Sequence, residues 1–247
     1  DKGNAEFGGQ EVLVYFDDVF VPCEHVLLDG ETAIAQTLVS RFTAYHRASY
    51  VCKTGLGDVL TGAAAEVADA NGVSGAAHVR DKLVEMVHLN ETIYSSSIAS
   101  AAKATKLDSG IWMNDEMLAN VCKQNVTRFP YEIARLAQDL AGGLMVTMPS
   151  EADLRSEEIG DLLDRLLAGR AGVRTEDRLR IMRLIENMTL GRNAVGYLTE
   201  SMHGAGSPQG QRIQIMRGMD IDTKRALARA LAGIDEPAEG APEGGAA

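Results

Sequence analysis

The segment Arg41–Lys53 holds the densest group of reactive side chains in the sequence. It contains one of the five histidines and one of the three cysteines, His46 and Cys52. On a helix of about 100° per residue, His46, Tyr50 and Lys53 occupy positions i, i+4 and i+7 and therefore share one face. Cys52, at i+6, lies about 120° from His46 on such a helix. These polar groups are costly to bury together without a function, and the alternative is a polar surface stripe beside a core cysteine.

A second group of candidate residues lies in Glu200–Pro208, where a carboxylate and His203 precede a glycine-rich loop. Burial of a carboxyl group raises its pKa towards neutrality, and a carboxylate with such a pKa can act as a general base. Glu200 lies near the end of a predicted helix. If its carboxylate is buried there, Glu200 is a candidate general base. The alternative is an ordinary polar residue beside a surface loop.

Self-contained catalytic and nucleotide-binding motifs of the common kinds are absent from the sequence. It has no P-loop, no Gly-x-Gly-x-x-Gly after a strand, no Gly-x-Ser-x-Gly elbow, no Cys-x-x-Cys and no His-Glu-x-x-His. His46 and Cys52 could supply two ligands to an iron or iron–sulfur centre, but two are not enough. The remaining ligands would have to come from elsewhere, since Cys23 and Cys122 are expected to pack inertly.

The composition limits the class of protein that can carry these residues. Hydrophobic residues make up 45% of the sequence and aromatic residues only 5%, which favours aliphatic helix packing. The net charge of −11, without a basic run, argues against nucleic-acid binding. No apolar run reaches the length of a membrane span, so we expect no membrane partner. Three scattered cysteines indicate a reducing compartment, and a cytoplasmic location is expected.

The pattern of residues predicts a mainly α fold, with a short β piece followed by a bundle of long helices. The segment Glu11–Phe16 is rich in β-branched and aromatic residues and predicts a strand, and Val19–Pro22 predicts a second short one. Two strands are only marginally stable in water and should have partner strands outside the chain. Helices are predicted over 31–70, 76–106, 114–148 with a break near Arg128 caused by Pro130, 150–169, 175–203 and 209–232.

Several segments together resemble one family, the 4-hydroxybutyryl-CoA dehydratases, which contain a flavin and an iron–sulfur cluster. This family lies within the larger group of 4-hydroxyphenylacetate 3-hydroxylase-like enzymes, built on the acyl-CoA dehydrogenase fold. The resemblance extends to about Ile234 and is most specific around His46 and Glu200. The residues that carry it are Val14–Pro22, Thr43–Tyr50, Asp81–Met86, His88–Thr92 and Tyr197–Gln209.

The resemblance implies that the chain is the C-terminal half of an enzyme about twice as long. Residues 1–30 would be the terminal strands of a middle β domain, 31–234 a C-terminal helical domain, and 235–247 a disordered acidic tail. The implied partner is the N-terminal half of the same enzyme, as a separate chain or a missing segment. A homo-oligomer such as a tetramer, an acyl-CoA substrate, FAD and a [4Fe-4S] cluster are also implied.

The family's site residues are carried over position by position. His46 matches the histidine ligand of the cluster and Cys52 its third cysteine ligand, while two further cysteines lie outside this chain. The matches to active-site residues are Tyr50, Lys53, Glu200 and the acidic residue Glu11. The three residues Ala141, Gly142 and Gly143 resemble helix-end glycines that approach the flavin diphosphate of a neighbouring subunit, a role that glycine backbone amides can fill.

The resemblance implies a radical dehydration of 4-hydroxybutyryl-CoA to crotonyl-CoA, with vinylacetyl-CoA isomerisation by the same steps. In this mechanism the cluster acts as a Lewis acid and the flavin accepts one electron. A base, His46 or Glu200, removes a proton next to the thioester, because an imidazole can both ligate a metal and accept a proton. Tyr50 and Lys53 would stabilise developing negative charge.

The sequence departs from the family pattern at one position. In the family, seven positions separate the histidine and cysteine ligands, with two glycines between the tyrosine and the cysteine. Here only Val51 separates Tyr50 from Cys52, so the spacing from His46 is six. Seven positions place both ligands on one edge of a regular helix and six do not. Either a local bulge or unwinding restores the geometry, or the cluster is altered or absent.

Two alternatives therefore remain open. The first is a flavin enzyme of the same superfamily without the cluster, either an aromatic hydroxylase or an acyl-CoA oxidoreductase. The second, from another class, is a helical assembly module without catalytic activity. Iron content separates the dehydratase from the first alternative, and flavin binding with the other half present separates it from the second.

Overall fold

The fold is described from a computed structural model of the chain. The structure describes residues 13–191 and 194–234. The predictions made for Glu11 and for the acidic tail 235–247 lie outside these residues.

Helices dominate the described part of the chain, which confirms the predicted mainly α class. A 3₁₀ turn at Cys23–His25 precedes them, and a second one spans Gly143–Val146. A π-helical segment, Val195–Thr199, leads directly into the ninth helix. The α-helices are α1 Thr32–Ser49, α2 Cys52–Ala70, α3 Ala77–Ala102, α4 Glu116–Val126, α5 Phe129–Ala141, α6 Glu151–Leu154, α7 Gly160–Leu166, α8 Thr175–Thr189, α9 Glu200–His203, α10 Pro208–Gly218 and α11 Ile221–Leu231.

The main hydrophobic core lies among α2, α3, α5 and α8. Small residues of α2, such as Ala64 and Ala68, are fully buried and allow the neighbouring helices to approach closely. Ile133 on α5 and Ile185 on α8 are also fully buried in this cluster. Within residues 13–191 and 194–234, none of the helices combines the length and apolar character needed to cross a membrane.

The described residues of the two predicted strands form no sheet within this chain, and their pairing with strands outside it stays a prediction. Residues 13–22 form neither strand nor helix, and a bend lies at Asp17 and Asp18. Tyr15, Phe16 and Phe20 are at least 80% exposed. Backbone groups of a strand need a partner, and no strand of the described chain pairs with this segment. The β-branched and aromatic composition alone therefore did not produce sheet.

A small hairpin occurs where the sequence predicted the end of a helix. Its strands, β1 Thr105–Lys106 and β2 Trp112–Met113, pair antiparallel and form the sheet of the described residues. Helix α3 ends at Ala102, four positions before the predicted boundary at Lys106. A turn at 108–110 joins the two strands, and Gly110 takes a positive φ of 85° there.

The long helix predicted over 31–70 is divided at Tyr50 and Val51. Here the backbone N–H of Tyr50 bonds to Arg47 O at 3.4 Å, and that of Val51 bonds to Ala48 O at 3.3 Å. These i to i−3 bonds are typical of a 3₁₀ turn, which tightens the winding of the chain. The periodic pattern of the sequence continues across this turn and so did not reveal it.

The later helices are also divided more often than predicted. The break near Arg128 is confirmed, with Pro130 in the first turn of α5. The segments predicted over 150–169 and 209–232 each form two helices instead of one. In the second, Asp220 adopts a left-handed φ of 41° and its side chain caps α11.

Candidate active site

Tyr50, Lys53 and Glu200 meet in one cluster, as their predicted roles require. The phenol of Tyr50 donates to Glu200 Oε1 at 2.5 Å. The ammonium of Lys53 forms an ion pair with Glu200 Oε2. The side chains of Lys53 and Glu200 are 11% and 23% exposed, so the carboxylate lies at the edge of the protein interior. One oxygen of Glu200 therefore accepts from the turn between α1 and α2, and the other pairs with the charge of Lys53 in the first turn of α2.

The π-helical segment before Glu200 supplies a second partner for Lys53. Lys53 Nζ donates to Gly196 O at 2.7 Å, within Val195–Thr199. A π segment disturbs the regular i to i−4 ladder and often marks a functional site. Lys53 is thereby fixed between a backbone carbonyl and the carboxylate.

Gly204 lies against the contact between Tyr50 and Glu200. A Cβ at this position would fall 1.6 Å from Tyr50 Oη and 2.6 Å from Glu200 Oε1. Its φ of −59° is open to any residue, so the requirement for glycine is steric and not conformational. The glycine-rich character of the loop after Glu200 thus has a local cause at this position.

Lys123 on α4 lies behind the cluster and was missed in the sequence. Its side chain is fully buried, with Nζ 4.3 Å from the centroid of the Tyr50 ring. It donates to Met202 O at 3.4 Å and, more closely, to Ser201 O. The sequence offers one weak signal, because the polar residues Asn120 and Lys123 are three positions apart in a predicted helix and so share a face. In the structure both are fully buried.

Arg47 on α1 is a second buried cation near this site. Its Nη1 donates to Asn120 Oδ1 at 2.6 Å, and its Nε donates to Ala205 O at 3.0 Å. Gly206 in the same loop has a positive φ of 102°, and a Cβ there would meet the Arg47 guanidinium at 3.0 Å. Arg47 therefore ties the loop after Glu200 to α1.

The electrostatics of Glu200 differ from the expectation. Burial raises the pKa of Glu200 and is the largest single influence. The hydrogen bonds from Lys53 and Tyr50, with the charges of Lys53 and Lys123, act in the opposite direction and together lower the pKa below its ordinary value. The predicted raised pKa is therefore wrong, because the sequence does not show how many donors surround the carboxylate.

His46 lies beside Tyr50 and is placed next to the cluster. Its ring centroid is 5.4 Å from that of Tyr50 and 5.1 Å from that of Phe42. His46 Nδ1 is buried, with no hydrogen-bond partner among the described residues. A buried imidazole nitrogen of this kind is available to a group that the described residues do not supply.

Cys52, the other predicted metal ligand, is exposed at the first residue of α2. Where i to i−3 bonds replace i to i−4 bonds, each residue turns by about 120° in place of about 100°. The 3₁₀ turn at Tyr50 and Val51 therefore rotates Cys52 towards the edge that carries His46. In the described part of the chain, no three His, Cys, Asp or Glu side chains come close enough to hold one metal ion.

Ala141, Gly142 and Gly143 lie where α5 ends and the 3₁₀ turn Gly143–Val146 begins. Ala141 is buried, whereas both glycines are exposed and a Cβ on either would meet no atom within 4 Å. Gly142 has a φ of 75°, which favours glycine. The backbone here is open to another molecule, as the predicted flavin contact requires.

Comparison with known proteins shows the family to which the chain belongs. Residues 35–233 match the family described as 4-hydroxyphenylacetate 3-hydroxylase C terminal. The chain belongs to this family. The match covers α1 to α11 nearly completely. It therefore includes both the segment with Tyr50 and Lys53 and the segment with Glu200.

Within the 4-hydroxyphenylacetate 3-hydroxylase C-terminal family, a curated relative is the 4-hydroxybutyryl-CoA dehydratase/vinylacetyl-CoA-Δ-isomerase of Clostridium aminobutyricum. It is 55% identical over 95% of this chain and 50% of its own length. A second relative, the oxygenase component of 4-hydroxyphenylacetate 3-monooxygenase from a Geobacillus strain, is 26% identical over 75% of this chain and 38% of its own length. The chain spans half or less of the length of these curated relatives. The resemblance drawn from the motifs is confirmed.

Solved structures of family members agree with the fold. An oxygen-tolerant archaeal 4-hydroxybutyryl-CoA dehydratase from N. maritimus superposes with a TM-score of 0.92 at 63% identity, over 99% of this chain and 49% of that one. The oxygenase component of a 4-hydroxyphenylacetate 3-monooxygenase, complexed with FAD and 4-hydroxyphenylacetate, superposes with a TM-score of 0.79 at 22% identity. It covers 88% of this chain and 46% of that one, and supports the fold alone.

Proposed function

We propose that this chain is the C-terminal part of an enzyme that dehydrates 4-hydroxybutyryl-CoA to crotonyl-CoA and isomerises vinylacetyl-CoA. The observation that carries the proposal is the 55% identity to the Clostridium aminobutyricum dehydratase/isomerase over 95% of this chain. The contact of Tyr50 and Lys53 with Glu200 supports it, because such a cluster suits a reaction that develops negative charge on a thioester.

The residues divide into a proton acceptor and a charge-stabilising pair. Glu200 is engaged by Tyr50 and Lys53 and its pKa is lowered, so it is a weak base. The buried, unpartnered Nδ1 of His46 favours this residue for removal of the proton next to the thioester. Lys53 and Tyr50 then stabilise the enolate oxygen, Lys53 by its positive charge and Tyr50 by passing its single hydrogen bond from Glu200 to the enolate.

The proposed cofactors are FAD and a [4Fe-4S] cluster. His46 and Cys52 would hold the cluster from the turn between α1 and α2, with the remaining ligands outside the described residues. The open backbone at Gly142 and Gly143, next to the buried Ala141, would contact the FAD diphosphate. When bound, the flavin supplies one-electron chemistry and the cluster supplies a Lewis acid for the substrate hydroxyl.

The partners follow from the length of the relatives. Because the chain spans half of the dehydratase from Clostridium aminobutyricum, we assign the N-terminal half of the same enzyme as its partner. The exposed apolar residues Tyr15, Phe16 and Phe20 are a surface that such a partner would cover. We further propose that the enzyme forms a homo-oligomer such as a tetramer. Its proposed location is the cytoplasm.

The test uses the full-length enzyme, purified without oxygen. A brown protein with about four iron atoms per subunit that converts 4-hydroxybutyryl-CoA to crotonyl-CoA supports the proposal. A yellow, iron-free protein that hydroxylates a phenol supports the alternative without the iron–sulfur cluster. The spacing between His46 and Cys52, one residue shorter than in the family, favours this alternative. A protein that binds no flavin and turns over neither substrate supports the helical assembly module.

A further inference from the structure

The strongest unexplained feature of the molecule is the buried ammonium group of Lys123. Its side chain is fully buried on α4, and no carboxylate of the described residues forms an ion pair with it. Removing an ammonium group from water costs several kcal/mol in proteins unless other groups compensate for the lost hydration. An apolar residue would fill the same space without this cost. The contacts of the ammonium group should therefore explain why a lysine is buried here.

Among the described residues, the polar contacts of Lys123 are to Tyr50 and to the two residues that follow Glu200. On one side, its Nζ lies 4.3 Å from the centroid of the Tyr50 ring, within the range of a cation–π interaction. On the other side, it bonds to the carbonyl oxygens of Ser201 and Met202, the two residues after Glu200. Lys53, by comparison, is 5.7 Å from the same ring centroid and contacts the carboxylate itself.

These contacts have defined physical consequences. Ser201 and Met202 lie in the last turn of the helical segment that ends at His203, where carbonyl groups have no donor within the helix. Lys123 supplies such a donor and so fixes the backbone that carries Glu200. A positive charge over a phenol ring also draws electron density from the oxygen and strengthens its O–H as a donor. Both effects favour the bond from Tyr50 to Glu200.

We propose that Lys123 is a positioning residue, which aligns the Tyr50–Glu200 hydrogen bond from behind by holding the Tyr50 ring and the backbone of α9 at once. The proposal extends the proposed function and rests on it, because the kinetic tests below measure the proposed dehydration. Lys123 contacts no reacting atom in this scheme. It acts through Tyr50 and Glu200, which are themselves held from the front by Lys53.

The first test is the kinetics of Lys123→Met in the full-length enzyme, with 4-hydroxybutyryl-CoA as substrate. Methionine has similar length but no charge and no donor. We expect kcat to fall by about 10- to 100-fold and KM to change by less than about threefold, since substrate contacts remain. The matched control is Lys82→Met, which removes a partly exposed lysine of α3 that pairs with Asp139 of α5, and it should leave both constants unchanged.

A double-mutant cycle distinguishes positioning from general structural support. Tyr50→Phe keeps the ring but removes the phenol that donates to Glu200. If Lys123 aligns that bond, Lys123→Met should lower kcat at least about fivefold less in the Tyr50→Phe background than in the wild type. An equal effect in both backgrounds would overturn the proposal and leave Lys123 a structural residue.

Hydrogen exchange measured by mass spectrometry gives a readout that needs no activity. In the full-length enzyme, Lys123→Met should increase backbone exchange in residues 200–206 and leave the core helices α5 and α8 unchanged. If the wild type does not dehydrate 4-hydroxybutyryl-CoA, the proposed function fails and this readout alone decides on Lys123. Unchanged exchange in 200–206, or an increase spread over α5 and α8, would contradict the positioning role.

Discussion

Tyr50 and Glu200 are 150 positions apart in sequence, yet the phenol of one donates to the carboxylate of the other at 2.5 Å. The bond joins the turn between α1 and α2 to the start of α9, the two segments that carry the proposed chemistry. Glu200 is held there by several donors and has a lowered pKa, so it is ionised at neutral pH. The site is therefore built around a carboxylate that organises a phenol and an ammonium group.

The steric fit around this bond predicts the effect of Gly204→Ala. The added methyl group would lie 1.6 Å from Tyr50 Oη, so either the phenol or the loop must move. We expect kcat of the full-length enzyme to fall by about 10²-fold or more, because small displacements of catalytic groups have effects of this order. Steady-state kinetics with 4-hydroxybutyryl-CoA measures the loss.

Gly62→Ala is the matched control for this substitution. Gly62 lies within α2, and a Cβ there would meet no atom within 4 Å. Alanine is the better helix former by about 1 kcal/mol, so the control should be as stable as the wild type or more so, with unchanged kcat. Wild-type activity in Gly204→Ala would show that the position of the Tyr50 phenol does not matter for turnover.

The ion pair with Lys53 predicts the effect of Glu200→Gln. Glutamine can still accept from Tyr50, but it loses the negative charge that holds Lys53. We expect kcat to fall by about 10²- to 10³-fold, the range seen when one charge-stabilising contact is lost. Glu132→Gln removes a carboxylate from an exposed pair with Arg135 and should be neutral. Full turnover in Glu200→Gln would favour the assembly module without catalytic activity.

Much of this site could be predicted from the sequence, although not its electrostatics. His46, Tyr50 and Lys53 were found from helical spacing together with the family motif, and the structure brings Tyr50 and Lys53 to Glu200. The sign of the pKa change of Glu200 was wrong, because it depends on Tyr50 and Lys53 from one distant segment and on the charge of Lys123 from another. Lys123 was missed because a single lysine in a helix usually lies at the surface.

The errors in the predicted fold also come from contacts between residues that are distant in sequence. The helical period runs through Tyr50 and Val51, so a continuous helix was predicted where a 3₁₀ turn divides α1 from α2. At 13–22, composition predicted strands, but strand formation requires a pairing partner that no local pattern contains. Local sequence thus predicts helix type well, whereas interruptions and pairing depend on contacts distant in sequence.

Cys52 and Cys23 offer a matched test of the proposed cluster, because both thiols are exposed. In the full-length enzyme, Cys52→Ser should lower the iron content well below the about four atoms per subunit of the wild type. Cys23→Ser should retain the wild-type iron content, since Cys23 lies in the 3₁₀ turn before α1. Iron is measured by atomic absorption on protein purified without oxygen. Equal iron in both variants would show that Cys52 is not a ligand.

The pKa of Lys123 predicts how stability depends on pH. Burial lowers this pKa from 10.5 to about 8, which the charge of Glu200 opposes and those of Lys53 and Arg47 reinforce. The neighbouring thiol of Cys122 acts in the same direction as Glu200, and burial raises the pKa of this thiol to about 12. The folded protein therefore binds the Lys123 proton less tightly than the unfolded chain does. The contribution of Lys123 to stability is fully present above pH 10.5 and is lost as the pH falls through about 8.

A comparison of the wild type with Lys123→Met isolates this contribution. The pKa difference corresponds to about 3 kcal/mol, so the wild type should gain stability relative to the variant by roughly this amount between pH 8 and pH 10.5. Thermal melting of the full-length proteins across this range measures the gain as a rising difference in Tm. A difference in Tm that stays constant with pH would mean that Lys123 keeps an ordinary pKa and is hydrated in the folded protein.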